Sequence, residues 1–174
     1  VPLVGLRLIG NDGTEQPWDG VAVGEIQVRG PFITGSYHEV APEPEKFTAD
    51  GWLRTGDVGA IDAHGYLRIA DRTKDLIKSG GEWISSVDME NRLMGHEAVL
   101  EAAVIAVQDA KWGERPLACV VLKPGRKAGA EDLRAHLAGA FAKWQLPDRV
   151  EFLEAIPRTS TGKFWKVKLR EMFR

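Results

Sequence analysis

The chain has 174 residues, 44% of them hydrophobic and 28% charged, an ordinary globular composition with enough apolar content for one or two small cores. Twenty-three basic residues against twenty-five acidic ones leave a formal charge of -2, so no overall field draws the chain to nucleic acid or to an anionic membrane. The single cysteine, Cys119, rules out a disulfide framework and a CxxC metal or redox pair, and it suits a cytosolic protein.

No apolar run approaches the roughly 18 residues that span a bilayer, and the start lacks a charged-then-apolar signal pattern. A soluble, cytoplasmic protein with no integral membrane segment is the expectation. Val1 is not a start methionine, and V-P-L-V-G-L-R-L-I has strand character from its first residues, as a fragment of a longer protein would.

In the first seventy residues, short alternating runs stand between turn signals. Leu6 and Leu8 flank Arg7, and Ile26 and Val28 interleave with Glu25, Gln27 and Arg29, the pattern of half-buried strands. Asp12-Gly13, Asp19-Gly20, Asp50-Gly51 and His64-Gly65 punctuate them. The last pair predicts a hairpin joining residues 58–61 to residues 66–69. The run A-P-E-P-E-K at 41–46 reads as an exposed loop, because two prolines and three charges do not fit a ladder. Together these predict a small antiparallel sheet or part of a barrel.

After Asp71 the period changes. Ser85 or Ser86 starts a helix with Val87, Leu93 and Met94 on its apolar face. Residues 99–107 and 117–122 are nearly continuous apolar runs, the mark of strands buried on both faces. Leu133, Leu137, Ala140, Phe141 and Trp144 recur at helical spacing until Leu146-Pro147. A strand at 150–153 and a last helix at 164–174, with Trp165, Leu169, Met172 and Phe173 on one side, complete an α+β chain in two units.

Three motifs carry candidate chemistry: W-L-R-T-G-D at 52–57, D-R-T-K-D-L-I-K-S-G-G-E-W at 71–83, and P-R-T-S-T-G-K at 157–163. The last is superficially like a phosphate-binding P-loop, but that motif needs Gly at 157 and Ser or Thr at 164, where Pro157 and Phe164 stand. What remains is a Ser/Thr-rich turn with Gly162, ending in the mobile point charge of Lys163. Such a lysine suits a carboxylate meeting a phosphate, two anions that repel unless a cation lies between them. Gly80 and Gly81 lack Cβ atoms, so a ligand or another backbone can come close; the plainer reading is a Gly-Gly turn. His38, His64, His96 and His136 show no metal-ligand spacing, and no protein metal site is expected.

In their order and wording, the three motifs resemble the carboxy-terminal part of acyl-adenylate-forming, AMP-binding enzymes, most closely a medium- or long-chain fatty-acyl-CoA synthetase. That resemblance implies that residues 1–70 end a large N-terminal domain, residues 71–76 form a hinge, and residues 77–174 form a mobile C-terminal domain. It also implies a catalytic Lys163 between substrate carboxylate and phosphate, with Asp57 and Arg72 on the ATP ribose. Lys74 becomes the hinge residue, Glu82 and Trp83 lie near the adenylate, and Lys78 assists the nucleotide. Gly80, Gly81 and Trp112 face the CoA arm.

The substrates implied are ATP with Mg2+, CoA and a fatty acid, and a homodimer is compatible with the family. An aryl- or short-chain acyl-CoA ligase is the alternative. The 174 residues alone should not complete adenylation, since the family's acyl pocket and phosphate loop lie upstream of Val1. A rival from another class is a non-catalytic nucleic-acid or partner-binding module using Lys163, Lys166, Arg170 and Arg174, with Phe164 and Trp165 for stacking. Those cations recur at helical spacing opposite the apolar stripe, the usual pattern of a solvated amphipathic helix.

Overall fold

The structure, a computed structural model, describes residues 3–36, 38–39 and 43–173. It divides into two compact units, Val1–Lys74 and Asp75–Arg174.

The first unit is a four-stranded antiparallel sheet in the order β1-β2-β3-β4, with β1 Gly5–Ile9, β2 Gly24–Arg29, β3 Leu53–Ile61 and β4 Leu67–Arg72. Alternation sends Leu8 and Ile26 to one small core with Ile61, while Arg7, Glu25 and Gln27 point to the other face. The expected hairpin forms: Asp62 Oδ1 accepts from the His64 and Tyr66 backbone N–H groups, and Gly65 takes φ +85°, which closes β3 onto β4. Trp52 is lodged between the guanidinium groups of Arg7 and Arg29, 4.4 and 4.8 Å from its ring centroid. Two expectations shift here. Leu3 occupies a turn at φ +64° and the first strand begins only at Gly5, while Val1 and Pro2 lie outside the described residues. Within the expected loop at 41–46, Pro44–Lys46 winds a short 3-10 turn, and Ala41 and Pro42 lie outside the described residues.

The second unit is built on a five-stranded sheet. Its strands are β5 Ile77–Ser79, β6 Glu82–Ile84, β7 Val99–Asp109, β8 Gly113–Leu122 and β9 Arg149–Phe152. The order is β6-β5-β8-β7, and β9 runs parallel to β8. The helices are α1 Ser86–Met94, α2 Ala130–Ala138 and α3 Lys166–Met172.

The long apolar runs have a direct cause. Ala102, Val104, Ala118 and Val120 pack with Met89 and Leu93 of α1 and with Leu133 and Leu137 of α2. The residues between them, Ala103, Ile105, Leu117 and Cys119, pack with Ile156 and with Leu169 of α3. Both faces of the β7-β8 hairpin are therefore covered along these runs, which is why the runs are apolar. Cys119 is fully buried here, which pushes its thiol up to about 12. The lone thiol is expected to resist a disulfide-exchange reagent in the native protein and to react once per chain in denaturant; rapid native labelling would contradict this packing.

Helix ends depart from the periodic pattern. Ser85 caps α1 as expected, accepting from the Asp88 N–H at 3.1 Å, but the buried face is Met89 and Leu93, with Met94 40% exposed. Helix α2 stops at Ala138, because Gly139 follows and the Ala140 and Phe141 N–H groups both turn back to the Leu137 carbonyl. Trp144 sits instead in a separate 3-10 turn, Lys143–Gln145. Helix α3 is shorter than expected and buries only Leu169, while Trp165 and Met172 stay half exposed. Arg174 lies outside the described residues. No helix among the described residues is long and apolar enough to cross a membrane.

Candidate functional site

In the first unit, Asp57 and Arg72 are direct cross-strand partners in the β3-β4 ladder, with Arg72 Nε 3.6 Å from Asp57 Oδ1. A register shift beside Val58 sets this pairing, and Gly56 at φ +76° lets its carbonyl accept from the Thr73 N–H at 2.9 Å. The R-T-G-D motif is thus part of strand β3. Lys74 follows as the exposed last residue of this unit. Asp57 accepts and Arg72 donates side by side at the end of the β3-β4 ladder, a combination suited to a polyhydroxyl group carrying negative charge nearby.

In the second unit, Ser79-Gly80-Gly81-Glu82 is the tight turn of the β5-β6 hairpin, with φ +61° at Gly80 and +89° at Gly81. The backbone that comes close to Gly80 belongs to Trp112. The Gly80 N–H donates to the Trp112 carbonyl at 2.8 Å, and a Cβ on Gly80 would lie 2.9 Å from Trp112 Cε3. Around Gly81 the space is open. Alanine at Gly81 is therefore expected to cost about 1–2 kcal/mol through its left-handed backbone alone. Alanine at Gly80 is expected to cost more, because it also displaces the indole; equal denaturation midpoints for the two variants would refute that contact.

Trp112 is presented by the β7-β8 turn, where Asp109 Oδ1 accepts from the Lys111 and Trp112 N–H groups at 2.9 and 2.8 Å. Its ring remains 46% exposed. It lines a cleft with about 250 Å³ of space, together with Ser79, Gly80, Glu82, Arg115 and Trp144. Arg115 is buried and forms a two-pronged pair with Asp148, at 2.7 and 3.0 Å. The Asp148 carboxylate holds the guanidinium above its ordinary value, and the guanidinium holds Asp148 below the usual carboxylate range.

Strand pleating separates the predicted residues. Ser79 and Glu82 are register partners on the cleft side, whereas Lys78 pairs with Trp83 on the opposite face. Gly80, Glu82 and Trp112 are thus brought together, and Lys78 and Trp83 lie apart from them. The Trp83 indole N–H is buried without a hydrogen-bond partner among the described residues.

Lys163 is exposed at the end of a closed loop and lies outside the lining of the cleft. The Thr159 N–H donates to the Lys163 carbonyl at 2.8 Å, the Gly162 N–H to the Thr159 carbonyl at 2.9 Å, and Gly162 takes φ +82°. Arg158 braces the loop: it donates to the Gly162 carbonyl, pairs with Glu101 of β7, and stacks 4.7 Å over the Phe164 ring. The loop is held by these bonds, and Lys163 at its end is exposed.

Two cations of the rival nucleic-acid reading are half-buried and paired with carboxylates. Lys166 Nζ lies 2.7 Å from Glu90 and 2.8 Å from Ser86 Oγ, and Arg170 lies 2.6 Å from Asp75. Helix α3 packs on the sheet through Leu169, and its Lys166 and Arg170 reach the carboxylates of Glu90 and Asp75, a pairing its helical spacing does not disclose.

Sequence reading missed Arg115, Asp148, Ser79 and Trp144. Arg115 had a signal, a charge directly before the apolar run that begins at Pro116. Trp144 fitted a helical stripe and gave none. Among the described residues, no group of three or more His, Cys, Asp or Glu side chains could hold a metal ion.

Residues 88–163 match the family described as the AMP-binding enzyme C-terminal domain. The chain is 56% identical over 177 residues to a long-chain-fatty-acid–CoA ligase of Thermus thermophilus, covering 100% of this chain and 32% of that protein. It is 47% identical over 171 residues to a 3-methylmercaptopropionyl-CoA ligase of Ruegeria pomeroyi, covering 98% and 31%. Among solved structures, ATP-bound MatB from Rhodopseudomonas palustris superposes with a TM-score of 0.85 at 34% identity, over 99% of this chain and 34% of that one. The chain spans about a third of the length of these relatives.

Proposed function

The chain belongs to the acyl-adenylate-forming, AMP-binding superfamily as the C-terminal portion of such an enzyme, and from that premise we propose that the protein containing it is an AMP-forming fatty-acid–CoA ligase. In the first half-reaction a carboxylate oxygen attacks the α-phosphorus of ATP, giving acyl-AMP and releasing pyrophosphate with its magnesium. Lys163 lies between the two anions and stabilises the charge gathering on the phosphate in the transition state. Asp57 and Arg72 hold the ribose, the carboxylate accepting from its hydroxyls. The β5-β6 hairpin carries Lys78 and Trp83 on one face and Glu82 on the other, so Lys78 assists the nucleotide in one domain orientation while Glu82 and Trp83 flank the adenylate from the two faces of the hairpin.

In the second half-reaction the second unit turns about Lys74, withdrawing Lys163 and presenting the Gly80-Gly81 turn and Trp112 to the same site. The CoA sulfur attacks the acyl carbon, the thioester C–S bond forms, the bond to the phosphate oxygen breaks, and AMP leaves; the thiol proton passes to solvent. That Lys163 and the glycine cleft are separate features of one unit is the observation that supports two half-reactions served by alternation.

Thioester formation by the full-length protein with ATP, CoA and short, medium, long and aromatic acids tests the proposal. Turnover of medium or long fatty acids supports it, and no turnover with any acid defeats it. The second reading, an aryl- or short-chain acyl-CoA ligase, is favoured by the 47% identity to an enzyme named for 3-methylmercaptopropionate, and preferred turnover of small acids would establish it.

A further inference from the structure

Arg115 opens the apolar part of β8, is 7% exposed, and makes five hydrogen bonds. A guanidinium has five N–H donors in a fixed plane, so none is left over. Nε and Nη2 grip the two oxygens of Asp148 at 2.7 and 3.0 Å. Nη1 donates to Ser79 Oγ at 3.1 Å and to the Trp144 carbonyl at 2.5 Å, and Nη2 donates to the Leu146 carbonyl at 2.9 Å.

These partners come from opposite walls of the cleft. Ser79 immediately precedes the Gly80-Gly81 turn against which Trp112 packs. Trp144 and Leu146 belong to the connection between α2 and β9, whose only regular piece is the 3-10 turn Lys143–Gln145. Short turns of that kind do not hold a large, 43% exposed indole by themselves. The guanidinium ties the carbonyl of Trp144 to the strand that carries the glycine turn.

We propose that Arg115 is a positioning residue for thioester formation, setting the separation between the Gly80-Trp112 wall and the Trp144 wall of the cleft that receives the CoA arm. The assignment of CoA to this cleft rests on the function proposed above. Arg115 touches none of the reacting atoms; it acts through the two walls. A lysine cannot replace it, because an ammonium offers three donors from one point and cannot grip a carboxylate while reaching two carbonyls and a hydroxyl on either side.

The test uses the full-length protein and separates the half-reactions. Adenylation is read as acid-dependent exchange of pyrophosphate into ATP, and thioester formation as conversion of supplied acyl-AMP and CoA. Arg115→Lys is expected to raise KM for CoA by about tenfold or more, the scale of a displaced binding wall, with the exchange rate unchanged. Arg115→Met should raise it further, so that lysine is a partial rescue. Ser79→Ala, which deletes one acceptor with little risk to folding, should shift KM for CoA in the same direction by less. Unchanged KM for CoA in Arg115→Lys and Ser79→Ala overturns the proposal, as does an equal fall in both half-reactions, which marks a general structural role. Wild-type protein that exchanges pyrophosphate but makes no thioester instead defeats the CoA reading itself, a result visible before any variant is made.

Discussion

Replacing Lys163 by alanine in the full-length protein is expected to slow acid-dependent pyrophosphate exchange by about 10²–10³-fold, the usual loss when one preorganised charge or donor is removed from a developing anion. Conversion of supplied acyl-AMP and CoA should continue near the wild-type rate, because Lys163 lies outside the cleft of Gly80 and Trp112. The variant should fold normally. Lys163 is exposed, and the bonds that close its loop come from backbone groups and from Arg158. Equal loss in both half-reactions would remove the lysine from its proposed role, and full retention of exchange would remove it from catalysis altogether.

Replacing Glu90 by alanine is expected to destabilise the second unit by about 3–5 kcal/mol, the range for breaking one side of a buried ion pair. Glu90 Oε1 accepts from the Val104 N–H at 2.7 Å and lies 2.7 Å from Lys166 Nζ, with both side chains nearly covered. The truncation leaves the Lys166 ammonium with Ser86 Oγ but without its counter-charge and the Val104 N–H without its acceptor, which explains why the expected cost exceeds that of an exposed pair. Glu90→Gln combined with Lys166→Met keeps an acceptor for Val104 and removes both charges, so it should recover most of the loss. Denaturant midpoints of the two variants decide the matter: an Glu90→Ala midpoint equal to wild type would show that the pair does not hold α1, β7 and α3 together.

The same pair shows why parts of the fold were legible and others were not. Leu6, Leu8, Ile26 and Val28 announced their strands because one face of that sheet is apolar and the other polar, and a period of two is then unavoidable. The runs around Val104 and Val120 announced strands covered on both sides for the same reason. Helix lengths were harder to read. An apolar spacing continues through Ala140, Phe141 and Trp144, but the backbone leaves the helix after Ala138, and no periodicity registers the carbonyl-directed turn that follows Gly139. Met94, Trp165 and Met172 fitted apolar stripes and stayed substantially exposed, since an amphipathic pattern fixes a face without fixing what covers it.

The candidate site divides along the same line. Local sequence offered Gly80 and Gly81 as a tight turn and Lys163 as a point charge at a loop end, while Asp57, Arg72 and Lys163 were singled out only by the resemblance of their motifs to the acyl-adenylate-forming family. Only the tertiary structure could seat Trp112 against Gly80, put Lys78 and Trp83 on the far side of the hairpin from Glu82, or join Ser79, Arg115, Trp144 and Asp148 around one guanidinium. Those contacts link residues 29 to 36 positions apart, through a sheet order in which β5 and β9 both lie beside β8. Residue type, spacing and the wording of three motifs named the candidate groups; the order of the strands decided which of them meet.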